Sequence, residues 1–213
     1  MAFGKFRLTE KDRQAIAGTI ASAEATTSGE IVFAVSDASG KYRYTVLQLA
    51  LAGMAAAAAV YLVTPVHHSI GGLLWIEVLS FALLYSVAPH LRWRRWLITA
   101  SEMRARARDA AFMEFYASGL YRTRDANGVL IYLSLFERQV VVLGDRGIHE
   151  KMGDRYWDEV RDLIIGGIRS GAACKGICEA IERCGRALAQ YFPRKPDDVN
   201  ELPDTVIDRT SKP

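Results

Sequence analysis

Val129-Leu130-Ile131-Tyr132-Leu133-Ser134-Leu135-Phe136 and Gln139-Val140-Val141-Val142-Leu143 are two apolar runs separated only by Glu137-Arg138. So short a polar link between strand-forming runs predicts an antiparallel hairpin. Asn127-Gly128 before it and Gly144-Asp145-Arg146-Gly147 after it are turn residues that close both strands. Far upstream, Glu30-Ile31-Val32-Phe33-Ala34-Val35-Ser36 is apolar at successive positions, the pattern of a strand covered on both faces. Helical sequence joins it to the 129–136 strand, so the two are expected to lie parallel in a right-handed crossover.

The rest of the chain reads as helices around this sheet. Thr9 followed by Asp12 resembles a capping box, and Ile16, Ala17 and Ile20 give the helix after it an apolar face that lasts until about Thr26. Met103, Ala107, Ala110, Ala111 and Phe115 recur at helical spacing within 92–118, with Arg104, Arg106 and Arg108 at more solvated positions. One helix is expected over 150–170, striped by Met152, Tyr156, Trp157, Val160, Ile164 and Ile168, its last turn weakened by Gly166-Gly167. Another over 172–191 carries Ala173, Ile177, Ala180, Ile181, Cys184, Leu188 and Tyr191. The fold class is α/β: a small mixed sheet with helices on both faces.

The crossover between the two parallel strands contains a second kind of sequence. Residues 44–63 have no charged side chain, and residues 70–88 have one, Glu77. A bilayer core of roughly 30 Å needs about 20 apolar helical residues, which both runs supply. The sandwich is therefore expected to be interrupted by a two-helix transmembrane hairpin. Residues 1–43 form its first part, 44–90 the hairpin, 91–192 its second part, and the Pro-, Asp- and Lys-containing 193–213 a flexible tail. Lys41 and Arg43 precede the hairpin, and Arg92, Arg94 and Arg95 follow it, while the His67-His68 loop has no Lys or Arg. The positive-inside rule puts both termini and the soluble domain in the cytoplasm, with Trp93 and Trp96 at the membrane–water interface. No cleavable signal peptide is expected, because residues 1–41 are polar and helix-patterned.

A net charge of +3 over 213 residues gives no case for a nucleic-acid partner. Cys174, Cys178 and Cys184 match no common zinc spacing and are expected to be buried, reduced thiols. A phosphatase needs a nucleophile or an activated water with cations for the phosphate. Asp37 and Asp145 are the catalytic candidates, both expected at strand ends, with Arg146 beside the second. Asp beside Gly is equally ordinary turn chemistry, and no P-loop, nucleophile elbow or His-rich metal motif is present. Asp154, Asp158 and Asp162 read as a solvated helix face paired with Arg155 and Arg161. Glu77 lies roughly 10 Å into its helix, opposite the Ala55–59 run. An ionisable group there is costly; it reads as a contact with a partner helix or a proton-handling group, set against a tolerated interfacial acid beside small residues.

The element order, with Asn127-Gly128-Val129-Leu130-Ile131-Tyr132-Leu133-Ser134-Leu135-Phe136-Glu137-Arg138-Gln139-Val140-Val141-Val142 at its centre, resembles the TPM-domain family. The glycine-containing turn 144–148, the helix–strand unit 9–36 and the two closing helices extend the resemblance. It implies an α/β sandwich, and phosphatase activity or a divalent metal, calcium in particular, for some members. Many members hold the domain outside the cytoplasm behind a signal peptide; an insertion inside the domain departs from that. The expectation is a membrane-anchored accessory or assembly module of the bacterial inner membrane, not an enzyme. It needs no cofactor, and its partners are the lipid bilayer and a membrane protein or a second copy. The competing reading is a metal-assisted phosphatase.

Overall fold

The computed structural model describes residues 6–65, 69–88 and 92–210, with side chains for all of these except 92–94 and 154. Two compact units emerge: Met1–Gly40 with Met103–Pro213, and Lys41–Glu102. The first is built on a mixed four-stranded sheet of β1 (Ile31–Ser36), β2 (Val129–Ser134), β3 (Gln139–Gly144) and β4 (Ile207–Arg209), in the order β3-β2-β1-β4. β1 and β2 pair in parallel from Ile31 opposite Val129 to Ser36 opposite Ser134. β2 and β3 form the expected antiparallel hairpin, with Val129 opposite Gly144 and Ser134 opposite Gln139. All six residues of β1 and all six of β2 are buried, as uninterrupted apolar runs require.

Helices cover both faces. One face holds the larger core, where Phe33, Ile131 and Leu133 of the sheet meet Ile16 and Ile20 of α1 (Glu10–Glu24) and Ile164 and Ile177 of the closing helices. On the other face Ala111 and Phe115 of α4 (Ala100–Ala117) pack on Val32, Leu130 and Tyr132. The capping box forms: Thr9 Oγ1 accepts from the Asp12 amide, and the Asp12 carboxylate accepts from the Thr9 amide at 2.9 Å.

Two expectations about helices are revised. Instead of one helix over 150–170 there are two, α5 (Arg146–Met152) and α6 (Asp154–Ser170). Gly153 separates them at φ 71°, where a side chain is strained, and Asp145 starts α5 by accepting from the Arg146 amide. Gly167 is a contact site rather than a weak turn. A Cβ on it would lie 2.8 Å from the Gly176 Cα of α7 (Ala173–Tyr191), and one on Gly176 would lie 2.8 Å from the Leu163 carbonyl. The two backbones approach through this pair.

The tail is also corrected. Residues 207–209 form β4, parallel to β1 and paired from Ala34 opposite Ile207 to Ser36 opposite Arg209. The composition of 193–213 obscured this because the segment is held mainly by polar contacts. Asp208 meets Arg13 at 2.5 Å, Arg209 meets Glu114 at 3.1 Å, and the Glu201 amide donates to Glu30 at 3.0 Å.

The second unit contains α2 (Arg43–Val63) and α3 (Ile70–Val87), packed on each other as an antiparallel pair. Gly53 meets Leu84 at one end of their seam, and Tyr61 meets Gly72 at the other. Both helices are long and apolar enough to cross a membrane. The His67-His68 loop lies outside the described residues.

Candidate functional site

The sheet has two unlike edges. β4 is three residues long and bears the ion-paired Asp208 and Arg209. β3 reads Gln-Val-Val-Val-Leu-Gly, with no charge and no proline. The Asp145 amide donates to the Gly128 carbonyl at 2.8 Å, which sets the phase of the antiparallel ladder. By alternation, Gln139, Val141 and Leu143 spend their backbone groups on β2, while Val140, Val142 and Gly144 turn theirs outward.

This edge is the floor of a groove between α4 and α6. Two adjoining clefts of about 570 and 520 Å³ share Arg108, Val141, Val142, Trp157 and Asp158. Trp157 stands over Gly144, where an added Cβ would come within 2.5 Å of the indole, and its Nε1–H donates to His149 Nδ1 at 3.2 Å. On the α4 wall Phe112 is 42% and Tyr116 61% exposed, and the Arg108 guanidinium lies over the Phe112 ring at 5.6 Å. On the α6 wall Arg161 pairs with Asp158 at 2.5 Å and Asp162 at 3.2 Å. The expected Arg155 pairing goes instead to Glu159 at 3.7 Å.

The catalytic candidates do not share a site. Asp37 follows the carboxyl end of β1, while Asp145 follows β3, which runs the other way. The paired strands therefore stand between them, roughly 20 Å at about 3.3 Å per residue. Asp37 lies 3.7 Å from Arg7. Asp145 caps α5 and touches one end of the β3 groove.

A residue read only as turn filler turns out to be central at the Asp37 end. Glu137 is fully buried and accepts from the amides of Ser39 at 3.0 Å and Gly40 at 3.2 Å, and from the Ser134 hydroxyl. Ser39 Oγ also donates to Ser134 Oγ at 2.8 Å and lies 3.2 Å from the Tyr132 hydroxyl. This polar knot fixes the chain just before it leaves for α2. Its only sequence signal is an acid in a turn flanked by apolar strands.

At the opposite end Glu24 and Glu30 converge on the 200–204 segment. Glu24 Oε1 accepts from the Ile31 amide at 2.7 Å, and the second oxygens of Glu24 and Glu30 are buried with no donor among the described residues. Burial, then the neighbouring Glu30 and Asp204 carboxyls, push Glu24 up to about 9 despite the amide bond; burial raises Glu30 as well. At neutral pH Glu24 holds a proton rather than a cation. Among the described residues no group of three or more His, Cys, Asp or Glu side chains is arranged to hold a metal ion, so no step through a metal is derived. Burial pushes the Cys184 thiol up to about 12, and burial together with Cys178 raises Cys174 to about 12. Neither is a nucleophile at neutral pH.

In the hairpin, Glu77 is half-buried on the face of α3 that turns toward α2. Interpolating between the Gly53–Leu84 and Tyr61–Gly72 contacts sets it opposite Ala57 and Ala58. Lys41 and Arg43 are exposed, Arg95 is partly exposed and Trp96 is 89% exposed. The side chains of Arg92, Trp93 and Arg94 lie outside the described residues, although their backbone belongs to a 3-10 turn over Arg92–Leu97.

A mixed sheet clothed by helices on both faces, with a polar knot and an open edge, defines an α/β sandwich of the kind the strand pair implied. Residues 95–187 match the family model described as TPM domain, and a TPM domain is present in this chain. No curated protein matches the sequence. Among solved structures the chain is similar to the NMR structure of the BA42 protein from the psychrophilic bacterium Bizionia argentinensis, with a TM-score of 0.58 and 24% identity. The match covers 96% of this chain and 97% of that one. That likeness is one of fold.

Proposed function

We propose that this chain is a membrane-anchored accessory or assembly module: a TPM domain held at a bacterial inner membrane, with both termini and the soluble unit in the cytoplasm. The observation that supports it most is the bareness of α2 and α3. They are 21 and 18 residues long, and only 11% and 0% of their most apolar stretches is buried. A helix in the core of a water-soluble protein is covered by its neighbours; here Trp75, Val78, Leu79 and Leu83 stay more than half exposed. Hydrocarbon removes that cost. The flanking Lys41, Arg43, Arg92, Arg94 and Arg95 support the orientation, and Glu77 is the intramembrane contact for a partner helix or a second copy.

Carbonate extraction is expected to leave the chain in the membrane pellet, and a fluorescent reporter fused after Pro213 to glow in the cytoplasm. Release by carbonate rejects the anchor; a periplasmic reporter rejects the orientation. Crosslinking in intact membranes is expected to recover a defined partner whose yield changes in Glu77→Ala. Recovery of the uncrosslinked chain alone rejects the accessory role.

A further inference from the structure

We propose that the β3 edge and the groove above it bind an extended, acidic peptide segment of a partner by strand addition. This deepens the accessory reading and rests on it. Natural sheets guard their edges with charge, proline, bulges or brevity. β4 uses brevity and two charges; β3 uses none of these over six residues. Val140, Val142 and Gly144 offer outward backbone donors and acceptors in a row, and strand addition draws its affinity from such groups.

The surrounding side chains select the occupant. Each copy's β3 is the floor between its own α4 and α6, a setting that a bare strand enters without bringing a second pair of helical walls against the first. Phe112 and Tyr116 on one wall and Trp157 on the other flank alternate side chains of an incoming strand. Arg104 and Arg108 stand one turn apart on the α4 rim, exposed, with no carboxylate partner among the described residues. Asp158, on the α6 wall, is engaged by Arg161, which leaves Asp109 beside the two arginines of the α4 rim and Asp145 at one end of the groove. The incoming strand therefore carries carboxylates opposite Arg104 and Arg108.

The probe is a labelled, end-blocked peptide of alternating valine and glutamate, titrated against the full chain in nanodiscs and followed by fluorescence anisotropy. Saturable binding is expected. It should be lost when alternate peptide nitrogens are methylated, and weakened about tenfold or more, at least 1.4 kcal/mol, when lysine replaces glutamate. Val142→Pro removes an outward N–H without touching the β2 ladder and is expected to abolish binding while thermal unfolding stays near wild type. Arg104→Glu with Arg108→Glu, on a solvated helix face, should reverse the preference between the two peptides, and this double swap is decisive if Val142→Pro does not fold. Equal binding of the methylated peptide, full binding by Val142→Pro, no reversal by the double charge swap, or no binding at millimolar peptide each overturns the proposal. A crosslinked membrane partner captured equally by wild type and Val142→Pro refutes the groove while leaving the accessory role standing. Peptide binding without any membrane partner does the reverse.

Discussion

Glu24 makes the soluble unit sensitive to rising pH. Its carboxyl is buried at the end of α1, bound to the Ile31 amide and pressed against two other acids. Below the ordinary glutamate range both the folded and unfolded chains keep the proton, and this group contributes no pH dependence. Between that range and about 9 the unfolded chain has released the proton and the folded chain has not. Stability therefore falls as pH rises through this window, by up to about 1.4 kcal/mol per unit for one proton. Glu30 acts in the same direction. Glu24→Gln keeps an acceptor for Ile31 and removes the ionisation. The melting temperature of the variant is expected to exceed that of the wild type at pH 8, and the two should converge toward pH 5. Parallel melting curves across that range would falsify the assignment.

At the scale of elements, α6 and α7 cross backbone to backbone. Gly167 and Gly176 let the two backbones meet, and neither position has room for a side chain. Overpacking typically costs about 1–3 kcal/mol, and here the opposing atoms are backbone, which cannot rotate away. Gly176→Val is expected to lower the melting temperature by several degrees, whereas Gly166→Ala, whose Cβ meets nothing within 4 Å, should leave it unchanged or raised. A neutral Gly176→Val would show that the helices slide apart freely. This pair also marks the limit of what pattern reading reaches. β1, β2 and β3 were legible as apolar runs, and the stripes of α6 and α7 because burial of one helix face leaves a period in the sequence. Gly153, Gly176 and β4 were not, since a glycine's role depends on what approaches it and β4 is held by ions rather than apolar faces. The candidate site was less legible still. Asp145 was visible but its direction across the sheet was not, and the edge strand β3, with no charge and no proline, reads like an inner one.

For the whole molecule, the sheet cores are complete without the hairpin: every residue of both clusters lies outside Lys41–Glu102. Replacing residues 41–102 with a glycine-serine linker is expected to give a monomeric, water-soluble protein. Its β1–β2 pairing should persist, as read by backbone amide exchange at Phe33 and Ile131. Rapid exchange at those amides would mean that the hairpin is part of the fold rather than an insertion.

The position of β1 has a consequence for biogenesis. β1 is an interior strand, and both of its neighbours, β2 and β4, come after the hairpin in the chain. At translation speeds of about 5–20 residues per second, the ribosome takes roughly 5–20 s to pass from the end of β1 to the start of β2. On the proposed membrane reading, α2 and α3 enter the bilayer during that interval. The nascent amino-terminal segment is then tethered beside the translocation machinery before it has anything to pair with. Insertion comes first and closure of the sheet second, so a chain stalled at the membrane waits with a bare, aggregation-prone strand that only its own later residues can cover.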